Sequence, residues 1–188
     1  LVFFFETDSP LLVSMILLVM ISTASWIALR PLGAQRPRLY RISLAAITIG
    51  GLPILALATQ VVIDVDPWYS PRYLIPLAGM ILANAMNSVS IAAERYQSEI
   101  TSGHTAREAR LTAMQAAMIP LVNSLMAVGL VSLPGMMTGQ VLSGVSPLIA
   151  VRYQILVMCM LFGASGIATA YFLYWSSRIP QSLKKHSA

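Results

Sequence analysis

The stretch Glu94-Arg95-Tyr96-Gln97-Ser98-Glu99-Ile100-Thr101-Ser102-Gly103-His104-Thr105-Ala106-Arg107-Glu108-Ala109-Arg110 decides the fold, because it is a polar interlude between two long apolar runs. Six of its seventeen residues are charged, with both signs interspersed. Gly103 sits where a helix needs a left-handed residue past its C-terminus. A helix start follows at once. Thr105-Ala106-Arg107-Glu108 matches a capping box, in which the Thr hydroxyl accepts from the Glu amide and the Glu carboxylate reaches back to the Thr amide. The pattern predicts a short helix, a sharp turn at Ser102-Gly103 and a new helix, together forming a structured elbow over 94–110. A well-capped hairpin loop and a docking surface both fit these residues.

The sequence on either side says what the elbow connects. Of 188 residues, 57% are hydrophobic and only 10% charged, against about a quarter charged in soluble domains. The apolar residues come in runs of about 20, the length of a bilayer-spanning helix. The chain is therefore read as an all-α, polytopic transmembrane bundle forming a single domain over 1–188. About five complete spans are expected: 11–29, 42–63, 74–93, 106–133 and 148–175. The second contains Gly50-Gly51 and Pro53, read as interruptions, and the fourth is expected to bend or break at Pro120. Residues 1–5 read as the tail of a span already under way, which makes an N-terminally incomplete protein the expectation. Cys159 is the only cysteine, so neither a disulfide framework nor a zinc spacing exists.

Charge sets the expected topology. Loop 30–41, the elbow and the C-terminal tail hold ten of the twelve basic residues, and Glu6, Asp8, Asp64 and Asp66 fall at the opposite ends of the spans. By the positive-inside rule the elbow is expected to face the cytoplasm. The net charge of +5 thus serves topology, and no nucleic-acid partner is implied. The rings in Trp68, Tyr69 and Tyr73 suit the headgroup layer at the other end.

The sequence contains no G-x-x-x-x-G-K-[ST] phosphate-binding loop. Uphill transport by ATP would need a separate subunit touching the cytoplasmic face, and a rigid elbow is the part such a subunit would push. Glu99, Gly103, Glu108 and Ala109 resemble the Glu–Ala plus Gly signature in the cytoplasmic loop of ABC-transporter permeases. More specifically, Val128-Gly129-Leu130-Val131-Ser132-Leu133-Pro134-Gly135-Met136-Met137-Thr138-Gly139-Gln140, with Val141 to Pro147 and Ala150-Val151-Arg152-Tyr153-Gln154-Ile155, resembles the FetB-type permease family. That family joins bacterial iron-export permeases to plant membrane subunits of aluminium tolerance. The resemblance implies a homodimeric permease without its own nucleotide site or catalytic residues, energised by an ABC ATPase subunit that uses ATP. It implies coupling through Glu99, Gly103, Arg107, Glu108 and Ala109, and metal-ion export with iron as cargo. No cofactor is expected on this chain.

Polar residues inside spans are the candidates for the solute route, since each needs a partner or a wet cavity. Asn84, Asn87 and Ser88 lie at i, i+3 and i+4, and Asn123 and Ser124 follow Pro120. Interhelical hydrogen bonding is the competing explanation. Pro134 and Gly135 stop or kink the chain, and Gly135-x-x-x-Gly139 permits close backbone approach. Met136 and Met137 offer soft thioethers, which favour soft cations over Fe(II), yet Met is also ordinary packing. Asp64 and Asp66 fit solvated turn carboxylates or an outer cation mouth. His104 has no partner at ligand spacing, and Arg152 suits a snorkelling anchor or an anion contact. The residues alone name neither a metal site nor a substrate. An ATP-independent transporter or channel, or a membrane scaffold, is the alternative reading.

Overall fold

A computed structural model describes residues 9–67, 69–129 and 134–179. Every element among them is helical: α1 (Pro10–Ala28), a 3-10 segment (Arg30–Gln35), α2 (Arg36–Leu57) ending in a π turn (Ala58–Val62), α3 (Pro71–Thr101), α4 (Ala106–Ala127), α5 (Gly135–Leu142) and α6 (Pro147–Ser176). The expectations placed on residues 1–8, Trp68, 130–133 and 180–188 lie outside the described residues.

Local sequence explains where the helices begin. α1, α3 and α6 each start on a Ser-Pro pair, Ser9-Pro10, Ser70-Pro71 and Ser146-Pro147, with the serine in extended or near-extended backbone. Proline cannot donate at the first helical position anyway, and it forces the preceding residue out of the helical region. All three helices start at the same end of the bundle, because the chain reverses direction between consecutive long helices.

Among the described residues four segments are long and apolar enough to cross a membrane: Pro10–Ala28, Arg30–Val62, Pro71–Thr101 and Pro147–Ser176. α4, expected as a fifth span, is not among them; Arg110, Gln115, Asn123 and Ser124 dilute its apolar character. Its helix passes through Pro120 without a break and ends at Ala127.

Small residues set the packing. With lipid as apolar as leucine, helices associate where backbones approach closely. At the α1–α2 contact the buried Ser43 hydroxyl donates to the Ser25 carbonyl at 3.0 Å. At the α2–α6 crossing a Cβ added to Gly50 would lie 2.6 Å from the Ala164 carbonyl oxygen and 2.8 Å from the Ala168 Cβ. Gly50-Gly51 therefore does not interrupt the second span, as its sequence suggested; α2 runs straight through and uses Gly50 to admit α6. Pro53 also lies within α2. α3 packs against α1, α2, α4 and α6, which makes it the central post of the bundle. α4 lies against α3 and α6 at one edge, and α5 touches α6 while burying none of its residues.

Aromatic rings collect at the end where α1 runs into α2. The Arg36 guanidinium lies 4.7 Å from the Trp26 ring centre and donates to the Trp26 carbonyl, while Trp26 meets Tyr40 edge-on. Arg178, at the end of α6, covers Tyr174 and Trp175. Rings with basic partners are what a membrane–water boundary favours.

Candidate functional site

The elbow is built differently from its sequence expectation on one side and as expected on the other. Glu94 to Thr101 form no separate short helix; they are the last turns of α3, a single helix of 31 residues. Nothing between Gly79 and Gly103 breaks it, since that stretch has neither glycine nor proline. At 1.5 Å per residue α3 is about 46 Å long, well over the roughly 30 Å of hydrocarbon it would have to cross.

The turn itself is tied at both ends. The amide of His104 donates to the Glu99 carbonyl at 3.1 Å and the amide of Gly103 to the Ile100 carbonyl at 3.2 Å, with Gly103 left-handed at φ 92°. These two bonds are a Schellman closure of α3. On the other side, the Glu108 amide donates to the Thr105 hydroxyl at 3.3 Å and the Thr105 amide to the Glu108 carboxylate at 2.9 Å. The Thr105 hydroxyl also donates to that carboxylate, at 2.7 Å. These bonds hold the Glu108 carboxyl below the usual glutamate range, the side-chain bond from Thr105 contributing most and its amide next. A clamp ties the turn to the end of α3: the Glu99 carboxylate meets Arg95, one turn earlier on the same helix, at 2.6 Å and His104 of the turn at 2.9 Å.

Of the five residues expected to meet an ATPase, the structure turns two inward and leaves a third, Glu108, exposed but engaged. Glu99 and Ala109 are buried, and Glu108 is spent on its own cap. Gly103 supplies backbone shape, and Arg107 is exposed. Ala109, Ala113 and Ala117, four residues apart, are the buried residues of α4. They form the stripe by which it lies along the bundle. Beside the elbow, Pro31 and Leu32 from the 3-10 segment and Glu94, Gln97, Ser98, Thr101 and Ser102 from α3 line an open groove of about 350 Å³. Sequence reading missed this groove, which exists only because the basic loop and the end of α3 share one end of the bundle.

The solute-route candidates separate into two places. Asn84 lies seventeen residues before Thr101 and Asn123 seventeen after Ala106, so both sit about 25 Å from the turn, at one depth. Asn84 is half-buried and donates to the Met80 carbonyl at 2.9 Å. Asn87 and Asn123 are exposed on the bundle surface, and Ser88 is buried. Pro134, Gly135, Met136 and Met137 belong to the start of α5, a separate helix that begins past the end of α4; Pro134 occupies the position before the first turn rather than kinking a longer helix. Among the described residues no atom of another element lies within 4 Å of a Cβ built on Gly135 or Gly139, so this pair meets no other described helix. Among the described residues no group of three or more His, Cys, Asp or Glu side chains is placed to hold a metal.

Two residues were not anticipated. Ser165 and Thr169, one turn apart on α6, are fully buried, and neither hydroxyl has a hydrogen-bond partner. The only hint in the sequence is a pair of hydroxyls spaced i, i+4 inside an apolar run.

A model of the uncharacterised protein family UPF0014 matches residues 1–179, and the chain belongs to that family. It is 38% identical over 182 residues to a UPF0014 membrane protein of Synechocystis, covering 88% of this chain and 70% of that one. It is 31% identical to the probable iron export permease protein FetB of Escherichia coli, over 94% of this chain and 72% of that one. Protein ALUMINUM SENSITIVE 3 of Arabidopsis thaliana is 36% identical over 69% of this chain and 55% of its own length. The resemblance read from residues 128–155 is thus borne out. No solved structure matches.

Proposed function

We propose that this chain is the membrane permease subunit of an ABC-type exporter of metal ions, iron foremost. In this reading it works as a homodimer in the bacterial inner membrane with two copies of a separate ATPase, which hydrolyses ATP; the chain itself binds no nucleotide and performs no catalysis. The observation that carries the reading is the likeness to the Escherichia coli protein named as a probable iron export permease. The elbow supports it mechanically. Closed by a Schellman turn, a capping box and the Arg95–Glu99–His104 clamp, it moves with α3 and α4 as one stiff hairpin. A push at Arg107 therefore reaches the depth of Asn84 and Asn123 without being absorbed in a soft loop. Concentration of the basic residues at the elbow end supports a cytoplasmic elbow.

The test is co-purification of the full-length protein with an ABC ATPase co-expressed from its own genome. The expected result is a stoichiometric complex whose ATPase activity rises with one member of a panel of metal ions. Arg107→Glu should release the ATPase while leaving the melting temperature unchanged. A protein that transports metal with no ATPase attached would overturn the reading.

A further inference from the structure

α6 is held from several sides, and its residues show which side is which. Ala164 faces Gly50 of α2, and Gly166 faces Met118 of α4, where a Cβ would lie 3.9 Å from the methionine methyl. Ser165 stands between them in sequence and is turned about 100° from each on the helix. α3 also packs along α6, and with α2 and α4 on the two flanking directions the arc between them is the one left for it. Thr169 follows one turn later on the same face.

Both hydroxyls are 0% exposed and without a partner. Helices normally avoid this by letting the hydroxyl donate to a backbone carbonyl. Ser25 and Thr59, just as buried, bond to Ile21 and Leu55, and Ser43 bonds to Ser25. Alanine fits this helix one position earlier in each case, at Ala164 and Ala168, with no polar atom to satisfy. A buried hydroxyl without a bond destabilises the packed state, so two of them on one face mark a surface suited to an arrangement in which it is wet.

We infer that Ser165 and Thr169 form a hydroxyl step on the solute route between α3 and α6, receiving a metal cation that keeps its water shell. The inference rests on the exporter reading and names where its cargo passes. Metal-bound waters are strong donors, and two hydroxyl oxygens about 6 Å apart along one helix face can accept from two waters of one shell. The surrounding chemistry agrees. Among the described residues no cluster of His, Cys, Asp or Glu exists that would strip the cation of its water. As α3 and α6 separate, the hydroxyls gain partners; as they close, the hydroxyls lose them, which favours release of the cargo.

The experiment uses the full-length protein with its ATPase in cells lacking their own iron exporter, reading iron retained after loading. Wild type should lower cellular iron. Ser165→Ala with Thr169→Val should slow export roughly tenfold or more, the scale of lost bonds to charged groups. The same double variant should melt at the wild-type temperature or above, because apolar replacements of like shape remove an unsatisfied group. Thr169→Ser, which keeps the hydroxyl and drops the methyl, should export normally. Export by the double variant at the wild-type rate overturns the inference, as does a Thr169→Ser protein as slow as the double variant. A wild-type complex that exports no metal overturns the exporter reading itself, and the inference with it.

Discussion

Gly50 of α2 and Ala164 of α6 are in backbone contact: a Cβ on Gly50 would sit 2.6 Å from the Ala164 carbonyl oxygen. The obstacle is main chain, which cannot rotate aside, and the Ala168 amide nitrogen lies 2.8 Å from the same point. Only a glycine lets these two membrane helices cross at this distance.

Gly50→Ala should therefore force α2 and α6 apart and destabilise the protein by about 1–3 kcal/mol, the range for overpacking. Gly163→Ala is the control, since its Cβ would meet only the tip of Ile54 at 3.5 Å. That substitution should be neutral or gain up to about 1 kcal/mol from helix propensity. Unfolding of the detergent-solubilised variants by heat or denaturant distinguishes the two.

Gly103 tests backbone shape without packing. It is left-handed, and no atom lies within 4 Å of a Cβ built there. Gly103→Ala should cost about 1–2 kcal/mol through the left-handed conformation alone, and Gly103→Asn less. Equal stability of all three proteins would show that the turn adapts.

The capping box should make the elbow sensitive to acid. Because the Glu108 carboxyl is held below its ordinary range, the folded state favours its charged form. Its contribution is fully present above the unfolded glutamate range and is lost as pH falls through the lower folded value. The stability difference between wild type and Glu108→Gln should shrink on acidification. Thr105→Ala should cost about 1 kcal/mol at neutral pH. A difference independent of pH would dismiss the carboxylate's role.

Glu99→Ala removes the partner of both Arg95 and His104. Hydrogen exchange at the end of α3 and the start of α4 should speed up while protection at the Gly50 crossing stays. Unchanged exchange over 94–110 would mean that the backbone closure alone holds the turn.

Asn87 and Asn123 are exposed within the single chain, so alanine at either should shift stability by no more than about 0.5 kcal/mol. Under the exporter reading, the pair of substitutions should nonetheless lower metal export. Export at the wild-type rate would remove both side chains from the route.

Features that depend on neighbours in sequence were legible: the span at Pro10–Ala28, the Gly103 turn and the capping box at Thr105 all follow from residues a few positions apart. Features set by neighbours in space were not. Gly50-Gly51 reads as a break until Ala164 and Ala168 are seen against it. Ser165 and Thr169 look like ordinary polar dilution until burial removes their partners. Glu99 reads as a docking charge until the turn at Gly103 brings His104 back onto its carboxylate. The groove by Pro31 and Ser102 needs two segments sixty residues apart and has no local signal.

The alanine stripe of α4 stops at Ala117, and no residue from there to Ala127 is buried. The first half of that helix is gripped more closely than the second, which keeps a contact to α6 at Met118, so a tilt of the helix would turn about the stripe near Ala113. Met126 stands about 20 Å beyond that point, where a small tilt at the elbow end becomes a wide swing at the far end.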